Sequence, residues 1–164
     1  MSQAWRDWDA DVCFVDSTGG YGAAWISHLK LLGRKPVAVN FSQAAGDEQQ
    51  FFNKRAEMHW LFAQWIKEGG MLPPDETEGV PELIQAITQT TYFSNKDRIQ
   101  IEPKDLVKDK IGYSPDDLDA TILTFAHPVG ERQPRAAAFP RRRVDEEWSP
   151  LAALKADGYG SGYV

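Results

Sequence analysis

The residues best suited to chemistry in this chain are aspartates: Asp16, and far downstream Asp116, Asp117 and Asp119. Asp16 closes the apolar run Val12-Cys13-Phe14-Val15 and precedes Ser17-Thr18-Gly19-Gly20-Tyr21-Gly22. A short run with two valines and a phenylalanine reads as a strand buried on both faces. A carboxylate at the end of such a strand, beside a glycine-rich turn into a helix, lies where open α/β sheets place their ligands. Two acidic sites on buried elements are what a catalytic divalent metal requires. The plainer reading of Asp16 is a turn former, a common use of Asp.

The downstream acids must be positioned by a helix over 114–126, opened by Ser114-Pro115 and ended before Pro128. At about 100° per residue, Leu118, Ile122, Phe125 and Ala126 form one stripe. Asp119 points close to that stripe, Asp116 lies at its edge one turn earlier, and Asp117 points to the opposite, solvent side. A carboxylate on an apolar face is costly unless paired or metal-bound, so Asp119 and then Asp116 are the candidate ligands beside Asp16. The alternative is that these are first-turn acids favoured by the helix dipole. That suits Asp117 and suits Asp119 poorly, since the pattern places Asp119 past the first turn.

Other chemistries lack support. Gly19, Gly20 and Gly22 match neither GxxxxGK[ST] nor GxGxxG, so nucleotide binding is rejected and tight strand-to-helix packing explains them. His28, His59 and His127 are scattered, without the spacing of a zinc site. No Ser/His/Asp or Cys/His arrangement stands out. Cys13 is the only cysteine, which rules out an internal disulfide, and its place in the strand run reads as a small buried hydrophobe.

The rest of the pattern alternates helices and short strands. A helix over 21–32 carries Trp25, Ile26, Leu29 and Leu32 on one side and stops at Gly33. Residues 36–41 form a second strand. Asn53 caps a helix to residue 68, with Met58, Leu61, Phe62, Trp65 and Ile66 at helical spacing. Arg55 and Glu57 on that helix read as a surface pair. Pro81 opens a helix to about residue 90, residues 92–93 and 98–101 flank a hairpin turn, and 104–110 is a short helix ended by Gly112.

The chain is long enough for one domain with a core of its own, and 42% hydrophobic and 26% charged residues suit a soluble globular protein. No stretch approaches the ~18 apolar residues of a membrane span, the N-terminus has no signal-peptide pattern, and a cytoplasmic location is expected. The net charge is −6, which argues against tight DNA binding by the body alone. It is uneven: 1–130 hold 12 basic and 19 acidic residues, while 131–164 hold 6 and 5. Arg141, Arg142 and Arg143 centre a basic segment within a Pro/Gly/Arg-rich stretch. Residues 1–129 are expected to fold, and 130–164 to form a poorly packed or disordered tail.

Three segments, CFVDSTGGYGAAWISHLKLLG, NKRAEMHWLFAQWIKEGG and RIQIEPKDLVKDKIGYSPDDLDATILTFAHP, occur in that order. Together they resemble the nuclease domain of large terminase subunits of tailed bacteriophages, over residues 5–129. The resemblance implies a ribonuclease H-like α/β fold and cleavage of double-stranded DNA concatemers during genome packaging. It implies Mg²⁺ or Mn²⁺ held by acidic residues, here Asp16 and Asp119 or Asp116, with two-metal phosphodiester hydrolysis. Arg55 and Glu57 become site supports, and the tail arginines become DNA contacts. The implied partners are DNA, the terminase ATPase domain, the small subunit and the portal, within a bacterial host cell and without a membrane.

Against that family pattern, the ATPase domain with its P-loop is missing. So are the opening strands of the nuclease domain and their metal-binding aspartate. The expectation is a partial domain lacking its first strands, with an exposed strand edge. A second function follows: a catalytically silent fragment that docks in the packaging motor. A junction resolvase or integrase is a third, disfavoured by the motif order.

Overall fold

A computed structural model of the chain describes residues 2–130. The tail expected from residue 131 onward, with Arg141, Arg142 and Arg143, lies outside the described residues. In order, the elements are α1 (Ser2–Asp7), β1 (Phe14–Asp16), a 3₁₀ turn (Thr18–Gly20), α2 (Ala23–Leu31), β2 (Val37–Val39) and α3 (Lys54–Lys67). They continue with α4 (Val80–Gln89), β3 (Tyr92–Asn95), β4 (Arg98–Ile101), α5 (Lys104–Ile111) and α6 (Asp116–Leu123). Among these residues no helix is long and apolar enough to cross a membrane.

β1 and β2 pair in parallel, Val15 opposite Ala38, with α2 as the crossover between them. The strand is less enclosed than its apolar run suggests. Val15 is buried, Phe14 is half-buried and Asp16 is exposed. Among the described residues β1 pairs with β2 alone, which leaves its other edge without a strand. Similarly, Leu29 of α2 is fully buried, but Trp25 is 53% exposed and Leu32, just past the helix, is 49% exposed, so only part of the expected stripe meets the core.

Gly22 is required by packing. A Cβ there would stand 2.0 Å from the Asp16 carbonyl oxygen and 3.1 Å from Val15 Cγ1. The strand-to-helix turn can therefore close only over a residue without a side chain.

β3 and β4 form the expected antiparallel hairpin, Asn95 opposite Arg98. Lys96 and Asp97 take φ of 51° and 62°, the two positive values that a tight hairpin turn demands. Phe52 N–H donates to the Ile99 carbonyl at 2.9 Å, and Ile99 N–H to the Gln50 carbonyl at 2.8 Å, which ties the loop before α3 to the hairpin.

α3 starts as expected. Asn53 accepts from the Ala56 N–H at 3.0 Å through its side-chain oxygen. Its inner face is Ala56, Met58, His59 and Phe62, while Leu61 and Trp65 stay partly exposed. The core joins Val39 and Phe41, Met58 and Phe62 of α3, Leu83 and Ala86 of α4, Val107 and Ile111 of α5, and Leu118 and Ile122 of α6. α6 packs against β1, α3 and α4.

Candidate functional site

α6 is oriented by its apolar stripe. Leu118, Ile122 and Ala126 are buried and Phe125 is half-buried, so the rotation of the helix is fixed. Asp116 and Asp119, three residues apart, then emerge near one another. The helix begins at Asp116 and ends at Leu123, shorter than the expected reach to Ala126. Its start corrects the expectation that Asp119 lies beyond the first turn: Asp116, Asp117 and Asp119 all fall within it. The backbone dipole therefore favours all three charges. It does not explain their difference in burial: the Asp119 side chain is 14% exposed and that of Asp116 74%.

A cation from α5 joins the two. Lys104 Nζ donates to Asp116 Oδ1 at 2.7 Å and to Asp119 Oδ2 at 2.5 Å. The Ser114 hydroxyl donates to Asp116 Oδ1 at 2.8 Å. Burial alone would lower the Lys104 pKa, but the bonds to Asp116 and Asp119 outweigh it and raise the ammonium above the ordinary lysine value. Asp116 is held below the ordinary carboxylate value, first by Lys104 and then by Ser114. Asp119 Oδ1 is buried and has no hydrogen-bond partner among the described residues.

Arg55 approaches from α3. Its guanidinium donates to the Glu102 carbonyl at 2.6 Å. Burial lowers its pKa, while the charges of Asp119 and Glu102 raise it, so Arg55 contributes positive charge to the surroundings of Asp119. Glu102, buried just after β4, takes two bonds of 2.7 Å from Lys110 Nζ and one of 2.7 Å from the Thr91 N–H. The site is thus a chain of alternating charges crossing α6, α5, α3 and the hairpin.

Asp16 and Glu57, the other sequence candidates, have contacts of their own. Asp16 Oδ1 accepts from the Thr18 N–H at 2.8 Å, the turn-forming contact, and the residue is exposed at the end of β1. Glu57 does not pair with Arg55. It binds Lys54 Nζ at 2.7 Å and the Gly46 N–H at 3.0 Å, and so anchors the loop before α3. Among the described residues no group of three or more His, Cys, Asp or Glu is arranged to hold a metal, so Asp16, Asp116 and Asp119 are not gathered into one three-carboxylate cluster.

The donor chemistry nonetheless fits a hard divalent cation. Magnesium is commonly bound by one or two carboxylates, with water and phosphate completing its shell. Asp116 and Asp119 already converge on one cationic atom, and Asp119 Oδ1 is an acceptor with no donor among the described residues.

Sequence reading missed Lys104. One signal is present: a lysine as the first residue of a helix opposes the helix dipole, and so calls for an anionic partner from another element. It also passed over Glu102 and Lys54, which are buried charged side chains, and weighed the buried His59 only as a zinc ligand.

The chain is similar to solved nuclease domains of the large terminase subunit gp2 of bacterial virus Sf6. For one the TM-score is 0.60 at 20% identity, covering 79% of this chain and 70% of that one. A lysine-to-alanine variant of that protein, solved with calcium, matches with TM-score 0.58 at 21% identity, and one solved with manganese with 0.56 at 21%. Each covers 78% of this chain and 70% of the other. No family model and no curated protein matches the sequence. The likeness shows the fold: a ribonuclease H-like α/β architecture, as the motifs implied.

Proposed function

We propose that this chain is the metal-dependent endonuclease part of a phage genome-packaging terminase, hydrolysing phosphodiester bonds of double-stranded DNA. One observation carries the reading. Two carboxylates, one of them largely buried and with an unpartnered oxygen, converge on a single cationic atom in a fold otherwise known from terminase nuclease domains. Asp119 and Asp116 would hold the ion, and Asp16 would serve from the end of β1. Bound Mg²⁺ or Mn²⁺ supplies an acidified water and charge neutralisation for in-line displacement at phosphorus. Lys104 keeps the acids compensated, and its ammonium is suited to a DNA phosphate once an ion takes its place. Arg55 steadies the Asp119 charge from α3. DNA, the ATPase domain, the small subunit and the portal are the partners this reading requires, in the cytoplasm of a bacterial host.

Supercoiled plasmid incubated with the full chain and Mn²⁺ tests it. Nicked and linear products should appear, vanish with chelator, and be lost on Asp119→Ala. Cleavage that persists in both Asp119→Ala and Asp16→Ala would remove these residues from the mechanism.

A second reading is favoured by a specific observation. Lys104 already pairs with both acids, and no group of three or more carboxylates is arranged to hold a metal among the described residues. A silent docking module of the packaging motor would look like this. Calorimetric titration with Mn²⁺ separates the two: binding lost in Asp119→Ala supports the nuclease, and no binding supports the docking module.

A further inference from the structure

α5 carries three lysines that are used differently. Lys104 Nζ pairs with Asp116 and Asp119, and Lys110 Nζ pairs with Glu102. Lys108 is exposed, and among the described residues its side chain makes no hydrogen bond or ion pair. Val107 and Ile111 are buried, so the rotation of α5 is fixed. At about 100° per residue, Lys104 and Lys108 share the edge beside that stripe, about 6 Å apart along the axis. Lys108 therefore stands one turn from the ammonium that bridges the acids. Its charge reaches Asp116. That carboxyl is held low first by the bond from Lys104, then by that from Ser114 against the effect of burial, and last by the charges of Lys104 and Lys108.

Stability alone does not account for this placement. A lysine near a helix C-terminus is favoured by the dipole, but Lys110 already supplies one there. Lys104 and Lys108, like Asp105 and Asp109, are like charges four residues apart, which weakens a helix. Asp105, three residues before Lys108, is within pairing reach and forms no ion pair with it. The result is an ammonium held free beside the carboxylate pair. In the nuclease reading, on which this inference rests, a divalent ion replaces the Lys104 ammonium, and its two charges match those of Asp116 and Asp119. Lys104 and Lys108 are then two uncompensated cations in a row on one helix edge. A row of point charges suits a strand with one phosphate charge per nucleotide rather than a single small anion.

We propose that Lys108 is a substrate-positioning residue: it binds the DNA phosphate next to the one being cut and lays that strand along α5, with Lys104 at the phosphate being cut. The contact goes to the backbone, so it holds every sequence alike. It fixes where the scissile phosphate lies relative to Asp116 and Asp119 without touching the ion.

The test pairs plasmid nicking by the full chain with Mn²⁺, read as KM and kcat, with anisotropy of a fluorescein-labelled duplex in chelator at several salt concentrations. Lys108→Ala should raise KM about three- to tenfold, the effect of one partly screened charged contact, and leave kcat near wild type. The slope of log affinity against log salt should fall by about 0.9, the value of one phosphate contact. Lys108→Arg, which keeps the charge, should restore both. Lys30→Ala, which removes the same charge from an exposed position on α2, should change neither. Calorimetric binding of Mn²⁺ should be no weaker in Lys108→Ala than in wild type. The proposal is overturned if wild type nicks DNA while Lys108→Ala keeps its KM and salt slope, an outcome that leaves the nuclease reading standing. It is equally overturned if Lys30→Ala matches Lys108→Ala, which would mean diffuse charge attraction, or if Lys108→Ala weakens Mn²⁺ binding. A wild type that neither nicks DNA nor binds Mn²⁺ removes the nuclease reading and this inference with it.

Discussion

Replacing Lys104 by alanine should destabilise the fold, and a divalent ion should undo the damage. The size follows from the two contacts. The pair with Asp116 is exposed on both sides, at 38% and 74%, and such pairs contribute about 0–1 kcal/mol. The pair with Asp119 differs, because that carboxylate is only 14% exposed and its other oxygen is already unpartnered. Stripping a buried acceptor of its donor costs about 1–3 kcal/mol. Lys104 is itself more than a third exposed, so water recovers part of this, and about 1–2 kcal/mol is expected overall. For a unit of this size that is about 3–8 °C in melting temperature.

The pH dependence has a definite sign. Lys104 is raised in the folded protein, so its contribution is complete below the unfolded lysine value of about 10.4 and fades as pH rises through the folded one. Asp116 is lowered, so its contribution is present above the unfolded value of about 3.9 and fades as pH falls through the folded one. The Lys104→Ala penalty should therefore form a plateau between about pH 4 and about pH 10 and shrink outside it. Urea unfolding of wild type and variant at about pH 3, 5, 7 and 9 brackets the acid limb and the plateau. Repeating the neutral measurement with Mg²⁺ completes the assay. An ion at about a hundred times its Kd adds about 2.7 kcal/mol, and the variant should gain more than wild type, where the ammonium competes. A penalty undiminished at the acid end, or an equal Mg²⁺ effect in both proteins, would refute the idea that Lys104 and a metal share one place.

Gly22→Ala should cost about 1–3 kcal/mol in urea unfolding, because the new Cβ meets the Asp16 carbonyl at 2.0 Å; a neutral result would mean the turn after β1 is loosely held. Asn53→Ala removes the α3 cap and should cost about 1 kcal/mol, whereas Asn53→Asp should retain the stability. Glu102→Gln should flatten the acid limb of the stability curve. Burial pushes the Glu102 pKa up, but the bonds from Lys110 and Thr91 win and lower it below the ordinary 4.5. Wild type should therefore lose that contribution as pH falls from the ordinary value through the folded one, and the variant should not. Parallel acid limbs in the two proteins would exclude Glu102 as a source of acid sensitivity.

The parts of the fold legible in the sequence are those fixed by local rules. The Asn53 cap, the Gly33 and Gly112 stops and the Lys96-Asp97 turn each depend on residues a few positions apart. The burial of Leu118, Ile122 and Ala126 follows from helical spacing, and with it the inward lean of Asp119. What stays hidden is set by distant partners. Nothing local says that β1 pairs with a single described strand, so the apolar run overstates the burial of Phe14. Trp25 and Leu32 look like core residues at helical spacing, yet both remain about half exposed. Arg55 and Glu57 look like a pair by charge alone, although side chains two residues apart diverge on a helix. Lys54, three residues from Glu57, is the partner that geometry favours.

The acids and their cation show why such a site is built at the edge of a core. α6 is held by the buried Leu118, Ile122 and Leu123, so the direction of Asp116 and Asp119 is set by packing, the most rigid constraint at hand. A rotation of the helix by one residue, about 100°, would send Asp119 into solvent. Ala120 would take its place, and no carboxylate would face Lys104 from that position. The charge itself is favoured by the α6 N-terminus, but an unpaired carboxylate beside Leu118 and Ile122 is not. The fold therefore demands a cation at this point in every state. Lys104 satisfies the demand from a flexible stem on the neighbouring helix, with more than a third of its side chain in water. A rigid buried arginine would have sealed the place, whereas an exposed lysine can leave it. That difference lets the lysine give way to a divalent ion, as the proposed nuclease reading requires.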